Sequence, residues 1–100
     1  MDLQAAKDLC SFIDQSPSPY HAVETARAQL EAAGFVLHDE GAVWSAADGD
    51  KGMVIRSGGT LIAWKRGKKP PSESGYRIIA GHTDSPNLRI KPNPDIFAHG

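Results

Sequence analysis

Apolar residues near the start of the chain recur every three or four positions, which is the period of an α-helix. Residues 2–15 therefore predict an amphipathic helix with one buried stripe. The stripe consists of Leu3, Ala6, Leu9, Cys10 and Ile13, and Phe12 widens it. Such a helix packs against the rest of the protein along that stripe.

Two prolines mark the corner between this helix and a second one. Pro17 disfavours the helical conformation in the residue before it, so the first helix should end near Ser16. Ser18 suits the N-cap, and Pro19 suits the first helical position, where its missing amide hydrogen costs nothing. The second helix has an apolar face and should be closed by Gly34 in the left-handed conformation.

From Phe35 onward the apolar period shortens to two, which is typical of β-strands. Residues 35–37 and 43–44 are short strand candidates on either side of a polar turn. Residues 51–66 predict a hairpin, because two β-rich runs flank Ser57-Gly58-Gly59, whose glycines tolerate positive φ. Apolar side chains occur on both faces of this hairpin, so we expect it to lie in a sheet that something larger than this chain covers.

The run Tyr76–Ala80 is rich in β-branched and aromatic residues and predicts a buried strand between two glycines. Polar chemistry follows at once in His82, Thr83, Asp84 and Ser85. In open α/β sheets, ligands bind beyond the carboxyl ends of the strands. His82 and Asp84 are therefore placed to face a ligand, and this strand is expected to carry the site.

The spacing of His82 and Asp84 has two interpretations. A neutral imidazole is a good zinc ligand, and it usually needs a carboxylate or carbonyl to fix its tautomer through the other ring nitrogen. Asp84 can fill that role or bind the metal itself. Alternatively, these residues form a solvated turn in which Asp84 and Ser85 bond nearby backbone amides.

Composition excludes several other classes of protein. The chain has 100 residues, a net charge of −1 and a single cysteine, Cys10, which cannot form an internal disulfide. Such a lone thiol in a helical pattern is typical of a small core residue in a reducing compartment. We expect no signal peptide and no membrane span, and hence a cytoplasmic location.

One cluster of positive charge leaves a nucleic-acid hypothesis open. Residues 65–69 contain Lys65, Arg66, Lys68 and Lys69, and such a run can contact phosphates. The run has no interleaved aromatic residues and leads into the loop-like sequence PPSESG, so a solvated connection between strands is favoured. We therefore expect no nucleic-acid partner.

The order of these elements and three quoted stretches carry a resemblance to a known family. The stretches are LCSFIDQSPSPYHAVETARAQLEAAGF, GGTLIAWKRG and, above all, IIAGHTDSPNLRIKP. With these the chain resembles the N-terminal part of the aspartyl aminopeptidase family of dinuclear zinc metallopeptidases. The resemblance implies an α/β fold in which residues 1–100 form the N-terminal segment of the catalytic domain: two helices, a β-hairpin and a ligand-bearing strand.

The resemblance also implies roles for two residues. His82 matches the first zinc ligand, and Asp84 matches the catalytic carboxylate that supports the site beside that histidine. It implies two zinc ions, a peptide substrate from which an acidic N-terminal residue is removed, and a homo-oligomeric complete enzyme. It further implies a cis peptide bond between Asp84 and Ser85.

The chain departs from the family in length, since the later zinc ligands, the general base and the dimerisation domain are expected downstream of Gly100. The 100-residue chain alone is therefore expected to be inactive. Besides a metallo-aminopeptidase segment that works with the remainder of the catalytic domain, two hypotheses stay open. One is a non-catalytic peptidase-like remnant or partner module, and the other is the nucleic-acid contact through Lys65–Lys69.

Overall fold

The computed structural model describes residues 3–45, 48–86, 88, 90–93 and 95. Two helices come first, followed by a small mixed sheet and a single helical turn. These elements are α1 (Leu3–Asp14), α2 (Pro19–Ala32), β1 (Val36–Leu37), β2 (Lys51–Arg56), β3 (Thr60–Lys65) and α3 (Pro71–Ser74). In the sheet, β2 is the central strand, parallel to β1 and antiparallel to β3. The order of helices followed by a hairpin confirms the coarse α/β prediction.

The corner between α1 and α2 forms as the sequence predicts. Ser18 has an extended backbone, and its hydroxyl oxygen accepts a hydrogen bond of 3.3 Å from the amide of His21. Pro19 occupies the first turn of α2. The hydroxyl of Ser16 lies 3.3 Å from that of Thr25, which ties the end of α1 to α2. Capping and proline sterics therefore suffice to place this corner.

Gly34 ends α2 in the predicted way. Its φ is 92°, and its amide donates to the carbonyl of Glu31 at 3.0 Å. The amide of Phe35 donates to the carbonyl of Leu30 at 2.9 Å, which completes a Schellman motif. This closure turns the chain directly into β1, which pairs with β2 so that Val36 lies opposite Gly52.

The hairpin predicted at residues 51–66 is confirmed. β2 and β3 pair along six residues each, from Lys51 opposite Lys65 to Arg56 opposite Thr60. Positive φ values occur at Ser57 (51°) and Gly58 (70°), whereas the sequence had suggested the two glycines. The ring of Tyr20 on α2 packs against this turn, because a Cβ atom placed on Gly58 would lie 3.3 Å from Cδ1 of that ring.

Three aromatic rings stack over β2 at Gly52. The centroids of Trp44 and Trp64 are 5.1 Å apart, and the imidazole of His38 lies 5.3 Å and 5.5 Å from them, respectively. A Cβ atom on Gly52 would fall 2.5 Å from Cζ2 of Trp64. Only a glycine permits this approach of the indole to the strand.

The strand predicted at residues 43–44 is wrong. Trp44 lies in a loop, where its indole nitrogen donates to the carbonyl of Asp39 at 2.8 Å. The carboxylate of Asp39 accepts from the amide of Gly41 at 2.9 Å, which closes a local turn. The loop thus brings Trp44 into the aromatic stack, where ring contacts with His38 and Trp64 take the place of backbone pairing, although the residue stays 44% exposed.

Few side chains of the described part of the chain are buried. Its buried apolar side chains are Val23, Met53 and Val54. The predicted burial of the α1 stripe is wrong within this structure, since Leu9 is 59% exposed and Cys10 is also exposed. The Cα radius of gyration is 18.3 Å, against about 13 Å for a compact domain of this length. The segment therefore leaves most of its apolar surface uncovered.

The strand predicted at Tyr76–Ala80 does not form in this structure. The backbone there pairs with no strand among the described residues, and Ile78 and Ile79 are exposed. The helical turn α3 occupies residues that the sequence suggested to be loop, and an open groove of about 1510 Å³ separates β3 from residues 76–81. A strand that is apolar on both faces needs a neighbouring strand to pair with and a layer that covers each face, and the described residues supply neither.

We predict that Gly52→Ala destabilises the chain by about 1–3 kcal/mol, because the added methyl group collides with Trp64. Urea unfolding followed by tryptophan emission measures this directly, since both tryptophans of the chain, Trp44 and Trp64, belong to the stack. Gly67→Ala is the matched control, because its added Cβ atom meets only a carbonyl at 3.9 Å. Equal unfolding midpoints for the two variants would contradict this reading of the stack.

Candidate functional site

His82 and Asp84 lie in an exposed loop that follows residues 76–81. Both side chains are 82% exposed. The loop is therefore open to solvent, and the imidazole is accessible to an ion from outside.

Among the described residues, Asp84 is the one that orients the imidazole of His82. Its Nδ1 atom lies 2.8 Å from the backbone carbonyl oxygen of Asp84 and 3.3 Å from Oδ1 of the same residue. Both partners can only accept, so Nδ1 must carry the hydrogen. In the neutral ring the lone pair then resides on Nε2, the atom that faces away from Asp84. This tautomer is the one that a zinc ligand bonded through Nε2 requires.

The solvated-turn interpretation of Asp84 finds no support in the described contacts. The carboxylate of Asp84 contacts the ring of His82, and no hydrogen bond joins Asp84 or Ser85 to a neighbouring amide within the described residues. The bond between Asp84 and Ser85 is trans, so the implied cis peptide is wrong for this structure. A cis bond of this type costs roughly 3 kcal/mol and persists only where surrounding structure enforces it, and both residues here are exposed.

The described residues bring together one imidazole and one carboxylate. Nowhere in residues 3–45, 48–86, 88, 90–93 and 95 do three or more histidine, cysteine, aspartate or glutamate side chains converge as a metal site would require. Asn87 and Arg89 of the GHTDSPNLRIKP stretch lie outside the described residues, and so does His99. A structural zinc ion takes four ligands, so these two side chains do not by themselves make a zinc site.

Thr83 connects residues 82–86, called the His82 loop below, to the hairpin. Its hydroxyl donates to the carbonyl oxygen of Gly59 at 2.9 Å, across 24 positions of sequence. Among the described residues from 76 onward, this is the single hydrogen bond that reaches another element. Sequence reasoning treated Thr83 only as a polar neighbour, and no local signal connects it to Gly59.

The basic run is solvated, as the sequence favours. Lys65, Arg66, Lys68 and Lys69 are all exposed. The amide of Arg66 donates to the carbonyl of Asp50 at 2.7 Å, which extends the hairpin ladder by one bond. The run therefore connects β3 to α3. No helix in the described part of the chain combines the length and apolarity of a bilayer span.

Comparison with known proteins points to one family. The model of the family described as "Aminopeptidase I zinc metalloprotease (M18)" matches residues 12–100. A probable M18 family aminopeptidase 2 of Streptomyces coelicolor is 48% identical over 93% of this chain. A protein of the same name from Pseudomonas aeruginosa is 41% identical over the whole chain. The chain spans only 21% and 23% of the lengths of these two curated relatives, respectively.

We predict that the neutral ring of His82 carries its hydrogen on Nδ1, because both atoms that Nδ1 contacts are acceptors. Long-range proton–nitrogen correlation spectra in alkaline solution distinguish the two tautomers. His21 is the internal control, since its Nδ1 lies 2.7 Å from the Ser18 hydroxyl, which can donate or accept and so imposes no tautomer. A ring of His82 protonated on Nε2 would contradict the assignment.

Proposed function

The chain belongs to the M18 family of zinc aminopeptidases, and we propose that it supplies the first zinc ligand of a dinuclear enzyme that removes N-terminal acidic residues from peptides. The observation that carries the proposal is the orientation of His82. Its Nδ1–H is engaged by Asp84, so Nε2 is left with a lone pair and open access. In a complete enzyme the zinc, when bound, supplies Lewis acidity at the scissile carbonyl.

The role proposed for Asp84 is to orient His82 and not to bind the zinc ion directly. Its carboxylate and carbonyl both lie on the Nδ1 side of the ring, at 3.3 Å and 2.8 Å. A carboxylate in this position fixes the plane of the imidazole and raises its basicity as a ligand. Asp84 thereby acts through His82.

The proposed enzyme needs the remainder of the catalytic domain. One imidazole cannot hold two zinc ions, and the described residues contain no cluster of three or more histidine, cysteine, aspartate or glutamate side chains. The uncovered apolar residues of α1 and of residues 76–80 support the same proposal, since a covering domain would bury them. Association of complete enzymes into a homo-oligomer and a cytoplasmic location are further parts of the proposal.

We predict that His82→Ala in a full-length enzyme carrying this segment abolishes aminopeptidase activity and lowers its zinc content. Asp84→Asn keeps the backbone acceptor but loses the carboxylate, so activity should fall by about 10–100-fold with less effect on protein yield. Release of the N-terminal residue from aspartyl, glutamyl and alanyl peptides measures activity, and metal analysis measures zinc.

Asp8→Asn serves as the control for this experiment, because Asp8 is exposed on α1 and bonds only the nearby side chain of Gln4 among the described residues. Its activity and zinc content should equal those of the unchanged enzyme. Full activity of the His82→Ala variant would contradict the zinc assignment. Faster release of alanyl than of acidic residues would contradict the proposed substrate class alone.

We predict that the isolated 100-residue chain shows no aminopeptidase turnover above blank, even with added zinc and an acidic aminoacyl substrate. A site with a single imidazole binds zinc weakly, with a dissociation constant on the order of 1 mM, or about 4 kcal/mol of binding free energy. Isothermal titration with zinc measures the affinity. Turnover by the isolated chain, or tight stoichiometric zinc binding, would show that the described pair is not merely part of a site.

A further inference from the structure

The His82 loop is attached to the hairpin turn through one residue. Thr83 lies between the proposed zinc ligand and its supporting carboxylate, and its hydroxyl donates to the carbonyl of Gly59 at 2.9 Å. The contact joins two positions 24 residues apart, so it links the loop to a different part of the chain. It therefore determines where the loop lies relative to the sheet.

The acceptor of this bond is held in place from two sides. Gly59 closes the turn between β2 and β3, and the paired residues Arg56 and Thr60 fix the ends of that turn. In addition, the ring of Tyr20 packs on the turn, 3.7 Å from a Cβ atom placed on Gly59. The carbonyl of Gly59 is thus a fixed point of the scaffold and not part of a free loop.

From this geometry we infer that Thr83 is a positioning residue for the zinc site, acting through its bond to Gly59 to set the place of His82 relative to the sheet. The inference rests on the proposed role of His82 as a zinc ligand. The bond of Thr83 attaches the loop to the sheet. His82 and Asp84 do not supply such an attachment, because their contacts orient the ring only within their own loop. A ligand must be placed within about 0.5 Å to bind well, which local contacts alone do not secure.

The experiment compares Thr83→Val with Thr83→Ser in the full-length enzyme that carries this segment. Valine keeps the shape of threonine but loses the hydroxyl, so the affinity for zinc should fall by about 10-fold. Serine keeps the hydroxyl, so its affinity should stay within about 3-fold of the unchanged enzyme. Competition with a chelating dye measures the affinity, and the absorption bands of the cobalt-substituted enzyme report the geometry of the site.

Thr60→Val is the matched control. It makes the same chemical change one residue from Gly59, on an exposed side chain that makes no hydrogen bond among the described residues. Its zinc affinity and cobalt spectrum should be unchanged. Thr83→Ala provides a second removal of the hydroxyl at an exposed position, and thermal unfolding of the zinc-free variants shows whether each one is folded.

The outcomes separate this inference from the proposed function. If His82→Ala loses zinc while Thr83→Val and Thr83→Ala keep the affinity of the unchanged enzyme, the positioning role is overturned and the zinc ligand stands. Equal losses in Thr83→Ser and Thr83→Val also overturn it, because the hydroxyl would then be irrelevant. If His82→Ala keeps its zinc, the proposed function itself fails.

Discussion

The ladder between β2 and β3 is the interaction on which the rest of the described structure depends. Backbone hydrogen bonds along six residues of each strand fix β2 at the centre of the sheet. β1 then pairs with the other edge of β2, and Gly52, the second residue of β2, accepts the aromatic stack. The turn that closes the ladder contacts Tyr20 of α2 and Thr83 of the His82 loop. Each of these contacts needs the ladder to place its partner, and a two-stranded hairpin in turn needs further packing to be stable in water.

The sequence predicts well those parts of the fold that local chemistry determines. The N-cap at Ser18, the left-handed closure at Gly34 and the turn at residues 57–59 each depend on a few neighbouring residues, and all three form. The strand predicted at Tyr76–Ala80 fails for the opposite reason. Its residues have a high β-propensity, but a strand forms only when it pairs with another strand. The local pattern does not show where that partner strand comes from. The strand predicted at residues 43–44 fails for a similar reason, because Trp44 instead stacks on Trp64, a contact between residues distant in sequence.

The candidate site likewise has one part that neighbouring residues determine and one part that they do not. The sequence places His82 beside Asp84, and the structure adds that both acceptors of Asp84 lie at Nδ1, which settles the tautomer. That much is local and could be suggested from spacing alone. The bond of Thr83 to Gly59 is not local, and no periodicity, cap or motif predicts it. The sequence therefore indicates the chemistry of the candidate ligand His82 but not the attachment of its loop to the sheet.

The energy of that attachment limits what this segment can do without further contacts. A single neutral hydrogen bond contributes about 1 kcal/mol, whereas ordering the backbone of each residue costs about 1–2 kcal/mol. The exposed residues 76–86 make no other hydrogen bond to an element outside themselves in the described structure. One bond can select where the loop lies, but it cannot alone hold the loop there. Because a metal binds an ordered site and not a disordered one, the proposed zinc binding would be coupled to ordering of the His82 loop.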